Sequence, residues 1–216
     1  MPPKAKFTAQ EIINAAVEIT RTKGFNAVTA REVGAVLGVS SRPLFTYFDT
    51  VEQLKREVYL YASNLYKKYL EDGLKMPVPF RGVGQQYIMF AKDEPELYKI
   101  LFLMPPSGIS GGAMDALRLS QNLVRDSLMQ VYNIDGKTAD KYFQNLWLVA
   151  FSFATLIVTN DCPYTDEQMW SIFSDISLSV CKAYKEIPGF AEGNCDNDAV
   201  FRELVKKSNC DKERKN

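Results

Sequence analysis

The chain has no histidine among its 216 residues and only four cysteines. Histidine is the commonest general base and the commonest metal ligand in proteins, so its absence argues against both kinds of site. The cysteines do not form a Cys-x-x-Cys pair, because they are separated by 14 residues or more. We therefore expect free thiols, no metal, no cofactor and no catalytic centre. The four positions are Cys162, Cys181, Cys195 and Cys210.

The chain also has no net charge and no long stretch that alternates with the period of a strand. Breaks rich in proline and glycine separate stretches of helical length, so the pattern predicts an all-α fold. Residues 142–160 carry no charge, yet they contain several polar side chains and no basic cluster flanks one side. These features favour a buried helix over a membrane span. The N-terminus has no pattern of a signal peptide, so we expect a cytoplasmic protein without membrane contact.

Two short helices that meet at a glycine are predicted within residues 29–48. Thr29 and Glu32 form a capping box that begins the first helix. Gly38 supplies the turn after it, because glycine adopts positive φ without a steric clash. Gly34 lies inside the first helix, where the lack of a side chain permits close packing.

The second short helix is predicted to begin at Ser41 with Ser40 as its N-cap. Pro43 falls in its first turn, where the missing N–H costs no hydrogen bond. Leu44 and Tyr47 follow at helical spacing and are expected on the side of the helix that packs inward. Ser41, Arg42, Phe45 and Thr46 are then nearer the open face, as in a helix-turn-helix whose second helix enters a DNA groove.

Further helices are predicted on both sides of this motif. Thr8 and Glu11 form a capping box that opens an upstream helix, which ends at Gly24. Thr50 and Gln53 open a long downstream helix over 50–71. The first 70 or so residues are thus predicted to form a compact unit of four helices.

These stretches resemble the DNA-binding domain of the tetracycline-repressor (TetR) family of bacterial transcription regulators. The matching segments are Thr8-x-x-Glu-Ile-Ile-x-x-Ala15, Lys23-Gly-Phe-Asn-Ala-Val-Thr29, Val33 to Ser40, and Leu44-Phe-Thr-Tyr-Phe48. The resemblance covers about a quarter of the chain. It implies an N-terminal DNA-binding domain, followed by an all-helical domain for dimerisation and ligand sensing.

The DNA contacts expected here combine the motif with the resemblance. Arg42 is the predicted base contact, and the resemblance implies phosphate contacts from Thr29, Thr46 and Tyr47. Two positions depart from the family: Val51 stands where many members have a phosphate-binding Lys, and Phe45 replaces a Tyr. Basic residues nearby could compensate for these losses: Lys4, Lys6, Lys55 and Arg56. The complete predicted DNA set is Thr29, Ser40, Ser41, Arg42, Pro43, Thr46, Tyr47 and Lys55.

The N-terminal part of the chain is more basic than the rest, as expected if it contacts DNA. Residues 1–56 contain eight Lys or Arg and five Asp or Glu, a balance of +3, whereas the other 160 residues balance at −3. We divide the chain into a DNA-binding domain at 1–56, a linking helix at 50–72, a ligand-binding and dimerisation domain at 73–189 and a polar tail at 190–216. Helices are expected near 78–92, 95–104, 113–133, 138–160 and 165–187. In the tail, a short helix near 198–207 is expected to dock on the body, with disorder beyond Ser208.

The two helices at 138–160 and 165–187 are predicted to form the subunit interface, because the first is apolar nearly all round and the second has small serines along its length. The resemblance agrees, since the last two long helices of the family make an intermolecular four-helix bundle. The predicted interface residues are Ala150, Ala154, Ile157, Ile172, Ile176 and Val180.

Aromatic and methionine side chains are frequent between 78 and 133. Such residues around a cavity suit an apolar or aromatic effector, although the same residues can simply fill a core. Glycines 108, 111 and 112 mark a loop predicted to open this pocket, and effector binding is predicted to shift the long helix over 50–71. The predicted ligand contacts are Tyr87, Phe90, Tyr98, Phe102, Met104, Met114, Leu117, Trp147 and Phe151.

The sequence thus indicates a ligand-responsive, homodimeric repressor that binds a twofold-symmetric DNA operator. Two alternatives stay open: a helical carrier of a small apolar molecule whose N-terminal unit contacts proteins, and a helical enzyme, for which no catalytic constellation is visible.

Overall fold

The computed structural model describes residues 7–104 and 111–213, apart from the side chains of Pro43 and of 207–213. The described residues form nine α-helices and no strand, which confirms the predicted fold class. The helices are α1 (Ala9–Lys23), α2 (Ala30–Leu37), α3 (Val51–Leu74), α4 (Pro79–Asp93), α5 (Pro95–Tyr98), α6 (Ala113–Tyr132), α7 (Gly136–Val158), α8 (Asp166–Glu186) and α9 (Asn197–Glu213). Shorter helical turns cover Phe25–Ala27, Arg42–Thr46 and Lys99–Leu103.

Side-chain caps fix where several helices begin. Thr8 accepts from the Glu11 backbone N–H, and the Glu11 carboxylate accepts from the Thr8 N–H at 2.7 Å. These bonds lower the pKa of Glu11 below its usual value. Thr29 and Thr50 cap α2 and α3 in the predicted positions. Thr165 and Gln168 form a complete capping box at the start of α8.

The long helix α3 joins two parts of the chain. The N-terminal head contains α1, α2 and the turn at Arg42–Thr46, and the body contains α4 to α8. Helix α3 packs against α1 in the head and against α4 and α6 in the body. At the α3–α4 crossing the two backbones touch, since a Cβ on Gly82 would lie 2.2 Å from the Gly73 carbonyl oxygen. Movement of α4 would therefore be transmitted directly to α3.

The centre of the body is α7, which packs against α4, α6 and α8. By length and composition alone α7 is apolar enough to cross a membrane. Core helices share this property, and ten of its side chains are buried, among them Tyr142, Phe143, Leu146 and Trp147. Its position corresponds to the buried helix that the sequence predicts.

Three predictions for the body and the tail need correction. The segment predicted as one helix over 95–104 changes from α-helix to a π-helical turn at Lys99–Leu103. The last helix is longer than predicted and continues to Glu213, in the region expected to be disordered. Its apolar side chains do not dock on the body, because Phe201, Leu204 and Val205 are each more than half exposed.

The loop predicted to open the pocket is only partly visible, since Gly108 lies outside the described residues. Gly111 and Gly112 are held against α3, because the Gly112 N–H donates to the Tyr59 hydroxyl at 3.0 Å. A Cβ on Gly111 would lie 2.0 Å from the same hydroxyl oxygen. This end of the loop is anchored by close packing rather than free to open.

Candidate functional site

The turn between the two short helices depends on two glycines. Gly38 ends α2 in the left-handed conformation, with φ of 66°. Gly34 faces the returning chain, and a Cβ there would lie 2.8 Å from the Val39 carbonyl oxygen. The predicted close approach at Gly34 thus exists, but it is made by the backbone of the turn itself.

The helix predicted to read DNA is a short 3-10 helix at Arg42–Thr46, not an α-helix. Its N-cap is Ser41, which makes no capping hydrogen bond through its side chain, so the prediction of Ser40 as N-cap is wrong. Pro43 lies in the first turn as predicted. The element is short because Thr50 caps the next helix a few residues later. Few residues remain in which i to i+4 hydrogen bonds could form.

Three of the predicted DNA contacts, Ser40, Arg42 and Thr46, are exposed around this turn, and Ser41 is half-buried. Thr29 is also exposed, and its oxygen accepts from the Glu32 N–H at 3.2 Å. Its O–H hydrogen is still available to a phosphate, since a hydroxyl is both donor and acceptor.

Tyr47, for which the resemblance implies a phosphate contact, forms a hydrogen bond within its own chain. Its hydroxyl donates to the Phe7 carbonyl at 2.8 Å and so ties the N-terminal segment to the end of the 3-10 helix. A phenol has a single hydrogen to donate, so a bond to phosphate requires this contact to break. Tyr47 therefore positions the turn in the DNA-free chain.

Lys55 lies near the start of α3, with its Nζ 5.5 Å from the centre of the Phe25 ring. Arg56 beside it is exposed, whereas Lys4 and Lys6 lie outside the described residues. Val36 and Phe45, which are not among the predicted DNA contacts, are both more than half exposed on the helix-turn-helix. Exposed apolar side chains at this place suit contact with thymine methyl groups or with an apolar protein surface.

A small cavity of about 20 Å³ lies in the body between α3, α4, α6, α7 and α8. That volume is enough for one water molecule and too little for an aromatic effector. Two of the predicted ligand contacts, Tyr87 and Trp147, line it, and so does Ala150. Tyr66 and Ser120 line it too but were missed, because they lie on helices that the sequence assigned to other roles.

The remaining predicted aromatic contacts pack behind the cavity wall rather than in it. The Tyr98 and Phe102 rings stack with centroids 4.4 Å apart, and Phe151 stacks on Trp147 at 5.0 Å. Phe90 and Leu117 are buried in the core without lining the cavity. Met104 and Met114 are 64% and 58% exposed, so the prediction that they line the pocket is wrong. Both methionines flank the undescribed segment, and a flexible side chain gives no sequence signal for the side on which it lies.

The polar groups of the cavity are neutral. Burial raises the pKa of Tyr66 and of Tyr87 well above the usual range, and raises the pKa of Tyr98 to about 12. Tyr66 shares a hydrogen bond with the Ser120 hydroxyl, which donates onward to the Ala116 carbonyl at 2.7 Å. The Trp147 N–H is buried near the Tyr66 hydroxyl, yet it makes no hydrogen bond of good geometry. Among the described residues, this N–H therefore has no well-formed partner.

The predicted interface residues divide between the core and the surface. Ala150 and Ala154 face the core of their own chain and are 5% and 0% exposed, so their assignment to the interface is wrong. Ile157, Ile172, Ile176 and Val180 are partly exposed. The outer face of α7 instead carries Leu148, Ser152 and Thr159. The error has a simple cause, since a helix that is apolar nearly all round does not reveal which face meets its own core.

The N-terminal geometry agrees with the comparison to known families. Residues 12–58 match the family model of the bacterial regulatory proteins of the tetR family. That stretch begins inside α1, includes α2, the glycine turn and the 3-10 helix, and ends within α3. No curated protein matches the chain. This domain supports a TetR-family DNA-binding regulator.

Proposed function

We propose that this regulator is a cytoplasmic homodimeric repressor that binds a twofold-symmetric operator and is released by a small apolar or aromatic effector. The observation that carries the DNA-binding part is the exposed Arg42, which opens a helical turn directly after the glycine corner. Two such turns, related by a dimer axis, would meet two half-sites about 34 Å apart along the duplex.

Arg42 is the residue whose loss tests this mode of binding. A bidentate contact from Arg to guanine contributes ~1 to 3 kcal/mol of discrimination, so Arg42→Ala is expected to lose sequence preference at one base pair of each half-site. Loss of Thr29 or Thr46, in contrast, is expected to weaken binding to all sequences about equally. Selection from a randomised duplex library, followed by titrations at several salt concentrations, measures both effects.

Arg118→Ala is the matched control for this experiment. Arg118 is an exposed arginine of α6 in the body, paired with Asp115, and it is expected to play no part in DNA binding. If Arg42→Ala keeps the affinity and the sequence preference of the wild type, Arg42 is not a base contact. Loss of both in Arg118→Ala would show that the head is not the DNA-binding surface.

The effector part of the proposal rests on the aromatic walls of the inner cavity. At about 20 Å³ the cavity is too small for such a ligand, so an effector must separate these walls to enter. Wall movement at α4 would reach α3 through the Gly73–Gly82 contact. It would also act on the ion pair between Arg21 of α1 and Glu94, which follows α4. Both routes lead to the DNA-binding head.

Linkage provides the test of effector response. An effector that weakens operator binding by a given factor must itself bind more weakly, by the same factor, when operator is present. Typical couplings are 1 to 3 kcal/mol, or roughly 5- to 150-fold. Aromatic compounds found by thermal-shift screening would be titrated with and without operator. Equal dissociation constants in the two titrations would reject that compound as an effector while leaving the DNA-binding role intact.

The alternative is a helical carrier of a small molecule whose head contacts a protein. The exposed apolar side chains of Val36 and Phe45 favour it, because protein interfaces are rich in aromatic residues. The two candidates differ in salt dependence, since DNA binding releases counterions and weakens steeply with salt. Operator selection that recovers no enriched sequence would favour the carrier.

A further inference from the structure

A second and larger cavity, of about 260 Å³, opens on the surface of the body. It lies where α4 begins and α6 ends, against α7 and α8. Unlike the inner cavity, it has room for a small organic molecule in the conformation described. Two rings, Phe80 and Phe173, line both cavities and separate one from the other.

Four of the ten residues that line this surface cavity are aromatic. The Phe80 ring lies edge-on to Tyr132, with centroids 6.5 Å apart, and Phe173 also lines the cavity. Such walls bind a flat ring by stacking and edge contacts. The volume is just below the usual range for ligand pockets, which begins at roughly 300 Å³, so the ligand that fits is small.

One of the residues that line this cavity, Arg81, has a cationic side chain. Arg81 lies in the first turn of α4 and lines the cavity. A positive charge near a helix N-terminus is opposed by the helix dipole, so Arg81 does not serve to stabilise α4. Among the described residues no carboxylate lies within salt-bridge distance of its guanidinium. The guanidinium therefore has all its donors available to an anion.

We propose that the surface cavity binds a small aromatic carboxylate, with its carboxylate on Arg81 and its ring between Phe80, Tyr132 and Phe173. Arginine suits this ligand because its planar donors match the two oxygens of a carboxylate. Ser174 of α8 adds a hydroxyl to the same wall. The site is separate from the inner cavity, and binding there does not depend on the DNA-binding role.

The test uses 1-naphthoate as the probe and 1-naphthamide as its neutral match, titrated calorimetrically into the full-length chain. Naphthoate is expected to bind at least ~10-fold more tightly than the amide, because only the carboxylate forms charge-assisted bonds with Arg81. In Arg81→Gln the two compounds are expected to bind about equally. Arg118→Gln is the control, since Arg118 lies roughly 20 Å along α6 from Tyr132 and is expected to keep the difference.

Two further measurements locate the bound probe. Ser174→Phe fills the cavity from an exposed position and is expected to abolish binding of both compounds while the circular dichroism stays that of the wild type. Cys181 lines the cavity, whereas Cys195 does not. Bound naphthoate is therefore expected to slow alkylation of Cys181 at least ~5-fold and to leave Cys195 unchanged.

Three results would overturn the proposal. The first is no naphthoate binding to the folded wild type at millimolar concentration. The second is naphthoate binding that survives Arg81→Gln unchanged. The third is binding that leaves the alkylation rate of Cys181 unaltered, which would place the probe elsewhere in the body.

Discussion

At the scale of single residues, Gly34 controls the corner between α2 and the 3-10 helix. Gly34→Ala removes a helix-interior glycine, which alone would stabilise α2 by ~1 kcal/mol. The new Cβ, however, would lie 2.8 Å from the Val39 carbonyl oxygen and 3.1 Å from the Ser40 carbonyl carbon. Backbone cannot move aside as a flexible side chain does, so we expect a net loss of ~1 to 3 kcal/mol in the free energy of unfolding. Urea unfolding measures it.

Gly38→Ala is the matched control, because it tests conformation without a clash. Gly38 has φ of 66°, and a Cβ there meets nothing within 4 Å. The expected cost is that of the left-handed conformation alone, roughly 1 to 2 kcal/mol, and Gly38→Asn should recover part of it. A Gly34→Ala protein as stable as the wild type would show that the backbone of the turn can shift to accommodate the new Cβ.

The ion pair between Arg21 and Glu94 joins the head to the body at a second point besides α3. The Arg21 Nε donates to Glu94 at 2.8 Å and a second guanidinium nitrogen donates to the other carboxylate oxygen. The Glu94 side chain is only 12% exposed. We expect Glu94→Gln to lower the free energy of unfolding by ~1 to 3 kcal/mol, because a largely buried charge-assisted pair is lost.

The same arginine supplies the control for this prediction. Arg21 also bonds to Glu18, which is 57% exposed. Exposed pairs contribute little, so Glu18→Gln is expected to change the free energy of unfolding by less than ~0.5 kcal/mol. Equal effects of the two substitutions in urea unfolding would mean that the Glu94 contact does not fasten the head to the body.

At the scale of the helices, local chemistry made most boundaries predictable. Thr8, Thr29, Thr50 and Thr165 cap helices where the sequence indicates, because a capping bond forms between residues three apart and needs no tertiary partner. What could not be predicted depends on neighbours distant in sequence. One example is the inward position of Ala154. The lining of the inner cavity could not be predicted for the same reason, since α3 and α6 contribute Tyr66 and Ser120 to it.

The C-terminal helix α9 does not dock on the body as the sequence predicted. Its apolar residues Phe201 and Leu204 are 67% and 56% exposed, so little area is buried against the body. Removal of residues 197–216 is expected to shift the melting temperature by less than about 2 °C. Phe173→Ala is the reference for a buried ring, with an expected loss of ~3 to 5 kcal/mol. A shift as large as that of Phe173→Ala would show that α9 is docked in solution, on its own chain or on a second copy.

At the scale of the whole molecule, the head and the body are joined by α3 and by the ion pair between Arg21 and Glu94. The body contains a small inner cavity and a larger surface cavity that share the rings of Phe80 and Phe173. A ligand in the surface cavity would press on those rings and on the start of α4, which touches α3 at Gly73. The arrangement gives a ligand of either cavity the same mechanical path to the DNA-binding head.

Assembly is a property of the whole molecule, and the proposed twofold operator requires two heads. The outer face of α7 bears Leu148, 51% exposed, among uncharged residues, and the partly exposed Ile172 lies on the neighbouring helix α8. We expect the wild type to sediment as a dimer at micromolar concentration. Leu148→Lys is expected to give a folded monomer, because two lysines would be buried against an uncharged face without partners.

Leu60→Lys is the control for that substitution, since Leu60 of α3 is 52% exposed and lies outside the proposed interface. It should sediment as the wild type does. Ala154→Lys, in contrast, is expected to unfold the chain rather than to separate subunits, because Ala154 is fully buried in its own core. Circular dichroism separates these outcomes, since only loss of fold removes the helical signal. A wild type that sediments as a monomer, or a Leu148→Lys protein that stays dimeric, would move the subunit interface away from the outer face of α7.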